Sequence, residues 1–156
     1  MYLCVLYKTM MKKYVYSFVV LFISITACQK PISKEAIKKI NGYWEISKVI
    51  NDKGDQKDYK VNNSVDFWSV NKGKGFKQKL MPQWDGKFET NDLRETIQIQ
   101  EVSGNWDIQY HTEFGHWKEQ ILELTDSTLV IKNESNLTYY YKRFKPNSFT
   151  HHGQTH

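Results

Sequence analysis

The sequence predicts an all-β domain, a small up-and-down antiparallel β-barrel of eight or nine strands with a short N-terminal helix. Three observations carry this expectation. From Tyr43 onward the apolar positions fall in short aliphatic and aromatic runs with almost no 3.6-residue recurrence. Turn-forming clusters separate the runs, among them Asn51-Asp52-Lys53-Gly54-Asp55 and Asn71-Lys72-Gly73-Lys74-Gly75. The connections are of hairpin length, so sequential strands pair with each other, and closure then removes the exposed sheet edges. A β-sandwich is the alternative, but it usually needs longer crossovers.

The elements follow in order. Ser33 is placed to cap a helix of one or two turns, with Glu35 in its first turn and Ile37 and Ile40 three apart. Asn41-Gly42 ends it. Strands are expected at 43–50, 64–70, 76–81, 87–90, 95–102, 106–111, 117–124, 128–132 and 137–144. The stretch 95–102 alternates, with Ile97 and Ile99 on one face and Thr96, Gln98 and Gln100 on the other. Lys77 and Lys79 also alternate and are assigned to the solvated face, with Lys72 and Lys74 in the preceding turn. The tail, 146–156, is polar and expected to be disordered.

The first 28 residues read differently. Lys12 and Lys13 precede an apolar run at 14–25. That run is short for a permanent membrane helix, which needs about 20 residues, and suits the core of a secretory signal. It ends in Ile25-Thr26-Ala27-Cys28, which resembles a bacterial lipobox. The resemblance implies a signal peptide over 1–27, with 1–10 an over-extended start, and lipidation of Cys28. A lipid-anchored tether over 28–32 would then lead to the barrel at 33–145. Several acyl chains anchor stably where a single one is marginal. The membrane, through this N-terminal lipid, is therefore an expected partner. Gln29 is not the acidic residue associated with inner-membrane retention, so an outer-membrane, periplasm-facing lipoprotein is expected.

This segment changes the meaning of two counts. The chain of 156 residues carries 22 Lys and Arg against 17 Asp and Glu, a net of +5. Three of the lysines (Lys8, Lys12, Lys13) and no acid precede Cys28, so the remainder is only +2. A nucleic-acid partner is not expected. The two cysteines, Cys4 and Cys28, leave the domain without thiol or disulfide.

Asn41-Gly42-Tyr43-Trp44-Glu45-Ile46 follows the short helix and opens the first strand. It resembles the Gly-x-Trp signature of lipocalins and their relatives. Residues 121–131, followed by the aromatic strand Tyr139-Tyr140-Tyr141-Lys142-Arg143-Phe144, are similar to the closing hairpins of bacterial lipocalin-like domain lipoproteins. The resemblance spans about residues 36–145. It implies a barrel closed at one end by Gly42, Trp44 and Arg143, or Lys142 beside it, with the basic group across the indole. It also implies a small hydrophobic ligand held in the cell envelope. The alternative is a non-enzymatic structural or protein-interaction lipoprotein with a filled barrel, serving an envelope complex or an inhibitor or immunity-type role.

Candidate pocket residues are Trp68, Trp84, Tyr110 and Trp117, which flank turns, because ligand sites are mostly apolar and aromatic. His111 and His116 bracket a hairpin that also holds Glu113, a spacing open to metal binding, but a solvated hairpin is the expectation and no metal is assigned. No nucleophile elbow, metalloprotease pair or phosphate loop is present. An enzyme is not expected, nor any cofactor.

Overall fold

The computed structural model describes residues 31–146. The expected signal segment, Cys28 and nearly all of the polar tail lie outside the described residues. Among the described residues nine strands follow a short 3-10 helix, Ala36–Ile40. They are β1 (Gly42–Ile50), β2 (Gln56–Asp58), β3 (Val65–Asn71), β4 (Lys74–Pro82), β5 (Phe88–Val102), β6 (Asn105–Thr112), β7 (Gly115–Leu124), β8 (Thr128–Asn133) and β9 (Thr138–Arg143). Antiparallel pairing runs from β1 to β3 and then strand by strand to β9. β9 returns to β1 over Trp44↔Arg143 through Ile50↔Thr138 and closes an eight-strand barrel. β2 is appended beside the far half of β1. The closed all-β meander agrees with the sequence expectation.

The helix is corrected to a single 3-10 element. Ile37 and Ile40 are both buried, and their spacing of three matches the three-residue period of that helix. A segment this short cannot offset the cost of nucleating an α-helix. Ser33 still serves its entry, since the Ala36 amide donates to Ser33 Oγ at 3.2 Å. Asn41 then fastens the element to β3. Its Nδ2 donates to the Val70 carbonyl at 3.1 Å, and its Oδ1 accepts from the Val70 amide.

Two further strand expectations are corrected. The segments 87–90 and 95–102 are one strand, β5. The polar stretch Thr90-Asn91-Asp92 looks like a turn but is used as a bulge, where pairing with β4 shifts register between Gln78 and Leu80. Asp92 takes φ +60, and the Leu93 amide donates to Asn91 Oδ1 at 3.1 Å. β2 has no counterpart in the sequence expectation, because Gln56, Lys57 and Asp58 are all exposed and carry no apolar pattern.

One end of the barrel is closed. The Trp44 ring is fully buried, and its Nε1 donates to the Ile40 carbonyl at 2.7 Å. The Arg143 guanidinium lies 3.7 Å from the Trp44 ring centroid. Such a contact contributes about 0.5–2 kcal/mol. The same group donates to the carbonyls of Asn41 at 2.7 Å, Asp126 at 3.1 Å and Lys39. Burial lowers the Arg143 pKa, with Asp126 opposing. Gly42 has φ +112, and a Cβ there would meet Arg143 Nη1 at 3.0 Å. Any larger residue would be strained and would push the guanidinium off the ring.

Inward side chains pack with this plug in one core: Trp68, Ile97, Ile99, Ile108, Leu129 and Ile131, with Trp106 and Ile121 beside them. The alternation that selects them is the period of two. Trp106 Nε1 donates to the Ile32 carbonyl at 2.8 Å, so the barrel wall holds the residues that lead into it. A second, smaller aromatic group lies on the outer face. Phe88 stacks on Tyr43 with centroids 4.9 Å apart, Phe67 lies 4.8 Å from Tyr43, and Phe144 packs against both Tyr43 and Phe88.

Gly75 has no room for a side chain. A Cβ would stand 1.8 Å from the Ser69 carbonyl oxygen and 2.8 Å from Val70 Cα, both backbone atoms of the paired strand β3. Gly75→Ala must therefore spread β3 from β4. The expected cost is about 3 kcal/mol, the upper part of the overpacking range, read as a lower midpoint in urea unfolding.

Candidate functional site

The candidate site is the part of the barrel interior where charged side chains are buried among aromatic ones. Register fixes which side chains enter it. Trp68 faces Lys77 across β3 and β4, Asp66 faces Lys79, and Lys77 faces Glu95 on β5. Tyr110 on β6 faces Ile97 on one side and Trp117 on the other. Glu119 on β7 and Tyr141 on β9 follow the same alternation. A ring of inward tryptophans and tyrosines thus surrounds charged groups.

Lys77 is the centre of this ring, and its assignment to the solvated face is corrected. Its side chain is only 16% exposed. Its ammonium lies 2.8 Å from Glu95 Oε2, 4.9 Å from the Tyr110 ring centroid and 5.6 Å from that of Trp68. Period-two alternation puts Lys77 and Lys79 on one face but does not say which. The side is set by Trp68 opposite Lys77, whose bulk belongs inside. Lys79 remains mostly exposed at the rim, 3.4 Å from the buried Asp66.

The groups around Lys77 are satisfied to different degrees. Tyr110 donates to Glu119 Oε2 at 2.7 Å. Trp68 Nε1 is buried and has no hydrogen-bond partner among the described residues. Burial acts to lower the Lys77 pKa, but Asp66 and Glu95 outweigh it and hold the ammonium above its ordinary value. Burial raises Glu119, opposed by the Tyr110 hydrogen bond and by Lys77. Tyr110 and Tyr141 are pushed well above the phenol range by burial first, then by Glu119 and Asp66 respectively. The tyrosines stay protonated and act as hydrogen-bond donors to carboxylates.

The Glu119 shift has a testable sign. A carboxyl raised in the folded state relative to the unfolded one costs stability wherever it is ionised. That cost is absent below the ordinary carboxylate pKa and is complete above the raised value. Glu119→Gln keeps an acceptor for Tyr110 and removes the charge. The variant is expected to melt higher than the parent at neutral pH, and the gap to close as pH falls into the carboxylate range.

The four candidate aromatics separate into three and one. Trp68 and Tyr110 meet edge to face at 6.4 Å, and Tyr110 stacks on Trp117 at 4.9 Å. Trp84 is not with them: it is 90% exposed, between β4 and β5. The charged members, Lys77, Glu95, Asp66 and Glu119, were not singled out as a site by the sequence reading. The available signal was the alternation Lys77-Gln78-Lys79 opposite a strand that carries Asp66 and Trp68. The space between Trp44, Ile46, Ser64, Asp66, Lys79 and Tyr141 is about 50 Å3. Among the described residues no group of three or more His, Cys, Asp and Glu gathers for a metal.

No family model matches the chain, and no curated protein matches it. Among solved structures, the chain is similar to a lipocalin-like protein from Bacteroides uniformis ATCC 8492, at 13% identity and TM-score 0.45, covering 68% of this chain and 99% of that one. An uncharacterized protein from Bacteroides eggerthii DSM 20697 is similar at 12% identity and TM-score 0.44, over 67% and 98% of the two chains. Apocrustacyanin C1 is similar at 12% identity and TM-score 0.39, over 74% and 72%.

Proposed function

We propose that this chain is a non-enzymatic binding lipoprotein of the cell envelope, anchored through Cys28, whose barrel mouth holds a small ligand. The ligand would be an amphiphile, with an apolar body against Trp117 and a polar group directed to the Lys77 cluster. One observation carries the reading: the barrel interior buries Lys77 among Asp66, Glu95 and Glu119 and leaves the Trp68 N–H without a partner among the described residues. Buried ion pairs are commonly neutral or unfavourable compared with apolar packing of equal volume. A barrel needed only as a scaffold would be more stable with aliphatic filling like that of Ile97, Ile99, Ile108, Leu129 and Ile131.

A second reading has its own support. The 50 Å3 space beside Trp44 and Tyr141 has room for a water molecule or two but not for a ligand, which favours a filled barrel that acts on a protein partner in the envelope.

Tryptophan fluorescence of the protein, titrated with fatty acids, retinoids and haem, tests the first reading. A saturable change that is lost in Lys77→Met is the expected result. An unchanged spectrum across the panel, with native mass spectrometry of the protein from its own envelope showing an attached protein and no small molecule, would favour the second.

A further inference from the structure

We propose that His111 and His116 form a two-nitrogen site for a divalent transition metal, of the kind that prefers right-angled coordination, Cu2+ or Ni2+. The site is on the outer face of the barrel and is independent of the ligand reading above.

The two residues stand directly opposite each other on β6 and β7. Their Nδ1 atoms are 2.7 Å apart, with ring centroids at 4.2 Å. A contact this short puts both nitrogens within reach of one ion, and as a hydrogen bond it needs a proton on one nitrogen and a free lone pair on the other. Without a metal, one ring donates its Nδ1–H to the lone pair of the other. A metal takes both lone pairs, and the donor ring's proton moves through solvent to its Nε2. Two neutral imidazoles therefore bind without net loss of a proton.

The bite distance favours one geometry. Ligands about 2.05 Å from a metal lie about 2.9 Å apart at a right angle and about 3.3 Å apart at the tetrahedral angle. The observed 2.7 Å is nearer the first. Tetragonal sites of nitrogen and oxygen are those of Cu2+ and Ni2+, and Cu2+ also stands highest in general affinity. The remaining positions fall to water.

The hairpin holds the rings in place. His111 and His116 are strand residues joined by the two-residue loop Glu113-Phe114, and the Phe114 amide donates to Thr112 Oγ1 at 3.2 Å. They border a groove of about 430 Å3 whose walls include Thr96, Gln98, Gln109 and Lys118. Water can reach the metal there. The one cation among those four, Lys118, is met by Asp107 at 3.6 Å, so its charge is partly offset. Glu113 is exposed on the loop and is not needed.

The test must separate this pair from His151, His152 and His156 in the tail. In the full chain with those three changed to Asn, Cu2+ is titrated and followed by electron paramagnetic resonance and by visible absorption. The expected result is one equivalent bound, with hyperfine structure from two nitrogens. His111→Asn and His116→Asn, each in the same background, should weaken binding about tenfold or more and remove that signature. Both residues are exposed, so circular dichroism should find the fold unchanged. No stoichiometric Cu2+ binding once the tail histidines are gone, or binding that survives either substitution, would overturn the proposal.

Discussion

Trp44→Ala is expected to destabilise the barrel by about 3–5 kcal/mol, the range for removing a fully buried large aromatic. Domains of this size have about 5–15 kcal/mol of total stability, so a measurable unfolded fraction is expected near physiological temperature. The loss has three parts. The cavity forms at the barrel floor, where Trp44 meets Ile40 and where collapse would require the 3-10 helix to move. The Ile40 carbonyl loses its 2.7 Å donor. Arg143 loses the ring beneath it but keeps the carbonyls of Asn41 and Asp126. Trp44→Phe retains most of the ring and loses the N–H, so its effect should be roughly half or less. Urea unfolding of the three proteins measures this. An alanine variant within about 1 kcal/mol of the parent would show that the floor is not closed by this residue.

How far the sequence disclosed this molecule depends on which physical pattern each part obeys. Closure, the meander and most strands follow from apolar alternation and turn chemistry, which are local. The bulge at Asn91–Leu93 was not legible, because the same polar residues suit a turn and a bulge, and only the partner strand decides between them. The site was legible for its aromatics and not for its charges. Trp68, Tyr110 and Trp117 are inward because large rings in a small barrel have few other places. Lys77 is inward against its own hydropathy, and the reason is non-local: Glu95 and Asp66 arrive from neighbouring strands to meet it. A rule that sends lysine to solvent fails where a fold brings its counter-charges inside.

Lys77→Met is expected to cost about 3–5 kcal/mol at neutral pH, because it leaves buried carboxylates without their cation. Asp66 and then Glu95 oppose the cost of burying the ammonium, with Glu119 adding to the field, and Glu95 is in direct contact at 2.8 Å. The part of the penalty that comes from Glu119 exists only while that carboxyl is ionised, so it should fade as pH falls through its raised pKa. The parent behaves differently at the other extreme. Lys77 is held above its ordinary value, so its contribution is complete below the unfolded-state lysine pKa and is lost as pH rises through the folded one. The triple variant Lys77→Met, Glu95→Gln, Glu119→Gln removes three of the four charges and leaves Asp66 to Lys79 at 3.4 Å, so it should regain most of the loss, as neutral replacements of buried ion pairs often do. Urea midpoints across pH measure the cycle, and non-additivity of the single changes measures the coupling. If the cluster exists for binding, the triple variant is stable and shows no fluorescence response to any ligand that the parent holds. A stable triple variant that still binds such a ligand would mean that these charges are not the site. A triple variant as weak as Lys77→Met would mean that they are structural.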